Sequence, residues 1–159
     1  MKKILLMTMI LITSSCGYHL RSNNSIAETY PLVKIKISAQ SLLKRPLVNA
    51  LIASGVELSD QVNAETNELI ILKDNLQKVI QSIGANNQVQ EYRLEYDVEY
   101  TLGKSAKKTI HLEKDYSFDI QQIGGGQQEE ITLRKQLAQD MSWAIIRQIN
   151  ASNNNRFIE

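Results

Sequence analysis

The sequence predicts an α+β fold: a two-layer sandwich in the order β-α-β-β-β-α, with two helices packed on one face of a four-stranded mixed sheet. Three patterns carry that expectation. Tyr92, Leu94, Tyr96, Val98, Tyr100 and Leu102 alternate with Arg93, Glu95, Asp97 and Glu99, a period of two that only a strand with one wet face produces. From Glu129 to Asn150, Ile131, Leu133, Leu137, Ala138, Met141, Ala144, Ile145 and Ile149 recur at helical spacing. Ahead of both, a short alternating segment is followed by a short helical one, which places helices and strands in one layered unit. A chain of 159 residues fits a single domain, and 43% hydrophobic against 22% charged residues, with two prolines and seven glycines, is the composition of a folded chain.

The elements follow in order. Met1-Lys2-Lys3 is a short positive stretch, Ile4 to Ile12 is apolar apart from Thr8, and Thr13-Ser14-Ser15 are small, the layout of an export signal over residues 1–15. Nine apolar residues span only about 14 Å as a helix, roughly half of a bilayer core, so the segment is expected to direct export and then to be removed. Cys16, the single cysteine, follows immediately. This arrangement resembles the bacterial lipobox, with Thr13 where leucine is usual; it implies cleavage before Cys16 and acylation of both its thiol and its new amino group. Three acyl chains exceed what stable membrane anchoring needs. Gly17, rather than aspartate, after the cysteine directs the expectation to the outer membrane.

Residues 16–29 read as the lipidated N-terminus and a polar tether, and residues 30–152 as the folded domain. Val33, Ile35 and Ile37 alternate with Lys34 and Lys36 as a first strand. Arg45 to Ala53, with Pro46 near its start and Gly55 just past its end, reads as the first helix. Residues 59–66 are a polar connection. Asn67 to Ile83 reads as a long strand with a bulge, Gly84 to Asn87 as a turn, Val89 to Leu102 as the clean alternating strand, Gly103-Lys104-Ser105 as a second turn and Thr109 to Phe118 as the last strand. Ile123-Gly124-Gly125-Gly126 reads as a loop before the second helix, and residues 153–159 as a tail.

The charge balance narrows function. Without Lys2 and Lys3 the chain holds 16 Lys+Arg against 17 Asp+Glu, a net near −1, and so lacks the broad basic field that nucleic acid demands. A lone cysteine excludes an internal disulfide and a multi-cysteine metal centre. Gly103-Lys104-Ser105 lacks the upstream glycine of a phosphate loop, since position 98 is valine, and the triple glycine lacks a lysine and hydroxyl beside it. His111 is the single histidine of the expected fold and sits on the polar side of a strand with no nucleophile to serve. No catalytic residue, cofactor or metal is expected. Arg93, Lys104, Lys107 and Lys108 are the candidates for contact with a lipid phosphate, arginine by its bidentate fork and lysine as a point charge.

The run Cys16-Gly17-Tyr18-His19-Leu20-Arg21 resembles the start of the mature chain in the lipopolysaccharide-assembly lipoprotein family, LptE. Arg45-Pro46-Leu47 leading to Ala53-Ser54-Gly55-Val56-Glu57-Leu58 is similar to that family's first helix and exit, and Gln90-Glu91-Tyr92 to the opening of its strand after the hairpin. The resemblance implies a non-enzymatic outer-membrane lipoprotein that plugs the lumen of a large β-barrel, LptD-type, assists its assembly and supports delivery of lipopolysaccharide to the outer leaflet. It also implies lipopolysaccharide contact near the first hairpin and before the last helix, where Gly84 to Asn87 and Ile123 to Gln127 hold no lysine or arginine here. The alternative from the residues alone is another outer-membrane lipoprotein that binds a periplasmic ligand or an envelope protein.

Overall fold

The computed structural model describes residues 26–61, 66–85, 87–117 and 123–154, without the side chains of 123–127 and 154. Within them lie α1 (Ile26–Thr29), β1 (Leu32–Lys36), α2 (Lys44–Ala53), β2 (Glu57–Leu58), β3 (Asn67–Ile83), β4 (Val89–Leu102), β5 (Lys108–Ser117) and α3 (Ile123–Asn154). The five strands form one sheet in the order β2-β1-β3-β4-β5; β1 runs parallel to both β2 and β3, while β3-β4 and β4-β5 are antiparallel. The fold is α+β, as the patterns predicted, and α2 and α3 cover one face of the sheet.

The expected four-stranded sheet is corrected to five. Glu57–Leu58 adds to the edge beside β1, where the Glu57 N–H donates to the Pro31 carbonyl at 2.8 Å and the Ser59 N–H to the Val33 carbonyl at 3.0 Å. Two residues are too few to show periodicity, so this strand is formed by pairing alone. The loop expected at the triple glycine is also corrected, because those residues start α3. Glycine costs about 1 kcal/mol per residue in a helix relative to alanine, and the long amphipathic segment that follows carries the turn along. At the other end α3 extends to Asn154, and Asn153 is only 5% exposed, beyond the expected boundary at 152. Ile26, at 1% exposed in the turn of α1, brings residues expected in the tether into the core.

Several local expectations are met for identifiable reasons. Gly55 takes a φ of 83° after α2; the Gly55 N–H reaches the Ile52 carbonyl at 2.9 Å and the Val56 N–H the Leu51 carbonyl at 3.1 Å, which together satisfy the last turn. In β3 the register shifts between Ile71 and Lys73, so that Leu72 is an extra residue and is 54% exposed. Before this bulge Leu69 and Ile71 face the helices, opposite Leu102 and Tyr100; after it Asp74, Leu76 and Lys78 do, opposite Val98, Tyr96 and Leu94. Gly103 holds a φ of 55° in the β4–β5 turn, with its Cβ direction 3.1 Å from Asn67 Oδ1.

The core lies between the layers. Leu94, Tyr96 and Val98 of β4, Val33 of β1 and Leu69 of β3 are fully buried, against Leu47 and Leu51 of α2 and Ala138, Met141 and Ile145 of α3. Burying such side chains stabilises by roughly 1.5–3 kcal/mol each. Tyrosines occupy this core because their hydroxyls reach partners at its border: Tyr96 donates to Asp74 Oδ1 at 2.7 Å and Tyr100 to Gln148 Oε1 at 2.7 Å. Burial pushes both phenols up, with the Asp74 hydrogen bond adding to the rise at Tyr96.

Candidate functional site

The helices leave the opposite face of the sheet uncovered, and strand alternation decides what that face presents. Residues of β4 that do not point at the helices are Glu91, Arg93, Glu95, Asp97 and Glu99, and on β5 the corresponding residues are Thr109, His111, Glu113, Asp115 and Ser117. On β3 the bulge brings Lys73, Asn75, Gln77 and Val79 to the same face.

These side chains are cross-linked. Arg93 donates from Nε to Asp115 Oδ1 at 2.6 Å and from Nη2 to Asp115 Oδ2 at 2.9 Å, and its Nη1 lies 3.2 Å from Glu113 Oε2. The fork therefore joins β4 to β5, raises the guanidinium's affinity for its proton and holds the Asp115 carboxyl below the usual range. His111 Nδ1 lies 2.8 Å from Asp97 Oδ1, and that hydrogen bond, with Glu113 as a second partner, raises the imidazole pKa. Lys107 Nζ donates to Glu99 Oε2 at 2.9 Å, and Gln77 Nε2 to Glu95 Oε2 at 2.9 Å. Exposed pairs of this kind contribute little stability one by one. Together they fix a flat array of charged side chains.

The structure separates the four basic candidates. Arg93 is on the open face and is engaged by its two acids. Lys107 is paired with Glu99, and Lys104 stands exposed in the turn. Lys108 lies opposite Tyr100 on the helix side, and its ammonium meets the Ser152 hydroxyl of α3. Seven residues along β4 divide the Arg93 rung from that of Lys108, about 23 Å of strand. Cys16, Gly17, Tyr18, His19, Leu20 and Arg21 lie outside the described residues. So do Asn86 and Phe118.

One cluster had little sequence signal. Glu130, in α3, accepts from Lys78 Nζ at 2.7 Å, Arg134 Nε at 2.8 Å and the Tyr116 hydroxyl at 2.9 Å. Tyr116 stacks on Tyr92 with ring centroids 5.8 Å apart, and the Lys78 ammonium sits 4.6 Å above the Tyr92 ring. Burial opposes ionisation of Glu130, but its three donors outweigh that and hold its pKa at about 2. Only the Glu130–Arg134 spacing of four residues was visible in sequence; the rest joins residues from β3, β4 and β5.

Among the described residues no group of three or more His, Cys, Asp or Glu is placed to hold a metal, and no helix is long and apolar enough to cross a membrane. What the uncovered face offers is a contact surface of fixed charges.

A family model for lipopolysaccharide assembly, LptE, matches residues 30–149, most of the chain. The chain belongs to the LptE family. Its role therefore lies in lipopolysaccharide assembly, and the matched region takes in the whole sheet, α2 and most of α3.

Solved structures share this LptE fold. The rare lipoprotein B from Shewanella oneidensis is similar at 22% identity and a TM-score of 0.69, over 78% of this chain and 97% of that one. A minor lipoprotein from Acinetobacter baumannii is similar at 21% identity and a TM-score of 0.67, over 78% of this chain and 93% of that one. The solution structure of lipoprotein B from Nitrosomonas europaea gives 21% identity and a TM-score of 0.67, over 79% and 85%. Among curated proteins the sequence finds no match.

Proposed function

We propose that this LptE-family chain is a non-enzymatic outer-membrane lipoprotein, anchored through acyl groups on Cys16, that plugs the lumen of a large lipopolysaccharide-assembly β-barrel. In that position it assists the barrel's assembly and supports lipopolysaccharide insertion at the cell surface. Family membership supports the pathway, and the lipoprotein names of three structural neighbours support the anchor.

The observation that carries the plug is the uncovered sheet face. A barrel lumen is lined by polar side chains, so its occupant needs a closed apolar core and a rigid charged exterior. Here Arg93, Asp115, Glu113, Asp97 and His111 are held by one another on the face that no helix covers. Any direct lipopolysaccharide contact falls to Lys104, exposed at the β4–β5 turn, more readily than to Arg93 or Lys107, which acids already engage.

Affinity purification of the tagged protein from detergent-solubilised membranes tests the reading. Recovery with a stoichiometric large β-barrel, and defective surface lipopolysaccharide on depletion, are the expected results. A stable monomer with unchanged surface lipopolysaccharide would overturn it in favour of a lipoprotein with a separate periplasmic ligand. A Cys16→Ala variant still retained on membranes that lack the barrel would overturn the anchor.

A further inference from the structure

Charge is unevenly spread over the uncovered sheet face. Val33 of β1 is buried beneath the helices, so Lys34 and Lys36 point the other way, in register with Glu68 and Ile70 of β3. Among the described residues, Lys34, Lys36 and Lys73 stand against Glu57 and Glu68 on the half made by β2, β1 and β3, an excess of one cation. The half made by β4 and β5 carries six carboxylates against Arg93 and the Lys107 ammonium, an excess of four anions, of which protonation of His111 offsets at most one. Three strand spacings separate β1 from β5, about 14 Å, beyond the roughly 8 Å over which salt screens exposed charges. A surface in contact with the face therefore meets two fields and not their average.

Two of the six carboxylates are oriented without being neutralised. Glu91 accepts from the Ser82 hydroxyl at 2.8 Å and Glu95 from the Gln77 amide at 2.9 Å, both neutral donors on β3. Neither has an ion pair with a described residue, whereas Asp97, Glu99, Glu113 and Asp115 each have one. Arg93 stands between them along β4, but its fork closes on Asp115 and Glu113, and Glu95 contributes least to its raised pKa. Ile70 and Val79 of β3 add aliphatic surface to the same face. Taking such carboxylates out of water without a cation is strongly unfavourable, so a protein surface that covers them has to supply one to each. Lys34 and Lys36 act in the opposite sense and repel a cationic surface from the β1 half.

We propose that the wall of the barrel lumen that receives the sheet face carries arginine or lysine opposite Glu91 and Glu95, two cations about 13 Å apart, and none opposite Lys34 and Lys36. This deepens the plug reading and rests on it. The uneven charge then sets the orientation of the plug, because half a turn about the sheet normal would bring the wall's cations onto Lys34 and Lys36.

The test is recovery of the barrel with the tagged, full-length protein from detergent-solubilised membranes, with a thermal melt of each variant to show that it is folded. Glu91→Gln/Glu95→Gln should lower recovery several-fold and Glu91→Lys/Glu95→Lys should lower it further. Glu57→Gln/Glu68→Gln makes the same charge change on the other half of the same face and should leave recovery at the wild-type level. Wild-type recovery in the lysine variant, or an equal loss in the two glutamine variants, would overturn the proposal while the plug reading stands. A wild-type protein that brings down no barrel would overturn the plug reading and this proposal with it.

Discussion

Leu94 and Ile80 lie on the same face of the sheet, yet Leu94 is fully buried and Ile80 is 56% exposed. Leu94→Ala should cost about 2–5 kcal/mol in chemical denaturation, because it leaves a cavity under the helices. Ile80→Ala should cost about 1 kcal/mol or less, having no cavity to leave. The register puts both on the side that faces the helices, and only the extent of the helical cover separates them. Gly103→Ala should cost about 1–2 kcal/mol, since its φ of 55° disfavours any Cβ and Asn67 stands 3.1 Å from the place where one would go.

At the scale of the element, α3 is the part that most changes meaning between sequence and structure. Its apolar stripe was legible, whereas the way it is fastened was not. Glu130 joins it to β3 through Lys78 and to β5 through Tyr116. Glu130 has a folded pKa near 2, below its ordinary value of 4.5, so its stabilisation is present above about pH 4.5 and is lost as pH falls towards 2. Glu130→Gln should therefore lower stability at neutral pH by about 1–3 kcal/mol and flatten the wild-type decline between pH 4.5 and 2, as followed by denaturation at each pH. The helical triple glycine leads to an opposite expectation. Gly125→Ala should raise stability by about 0.5–1 kcal/mol, because alanine fits a helix and restricts the unfolded chain. Strand β2 illustrates a different limit, for two residues have no period and become a strand only because the backbone of β1 is there to receive them.

Across the whole molecule the two faces differ in kind. The sheet face holds carboxylates, several of them tied to basic partners, while a groove between α2 and α3 on the helical side holds Lys44, Arg45 and Lys135 with no acid among its lining residues. If the sheet face is the one the barrel receives, Glu95→Lys/Glu99→Lys should lower co-purification of the barrel several-fold while the melting temperature falls by only a few degrees. Equal recovery would place the interface elsewhere.

The sequence by itself determined the class of fold, the wet and dry sides of β4 and β5, the end of α2 at Gly55 and the family, since each follows from residues close together in the chain. Tertiary structure alone decided that Arg93 is engaged by Asp115, that Lys108 turns to α3 while Lys107 turns away, that Glu130 has three donors, and that Lys44, Arg45 and Lys135 share a groove. The reason is physical. Periodicity and turn chemistry act within a few residues, whereas charge pairing is set by register and by packing between elements that lie tens of residues apart.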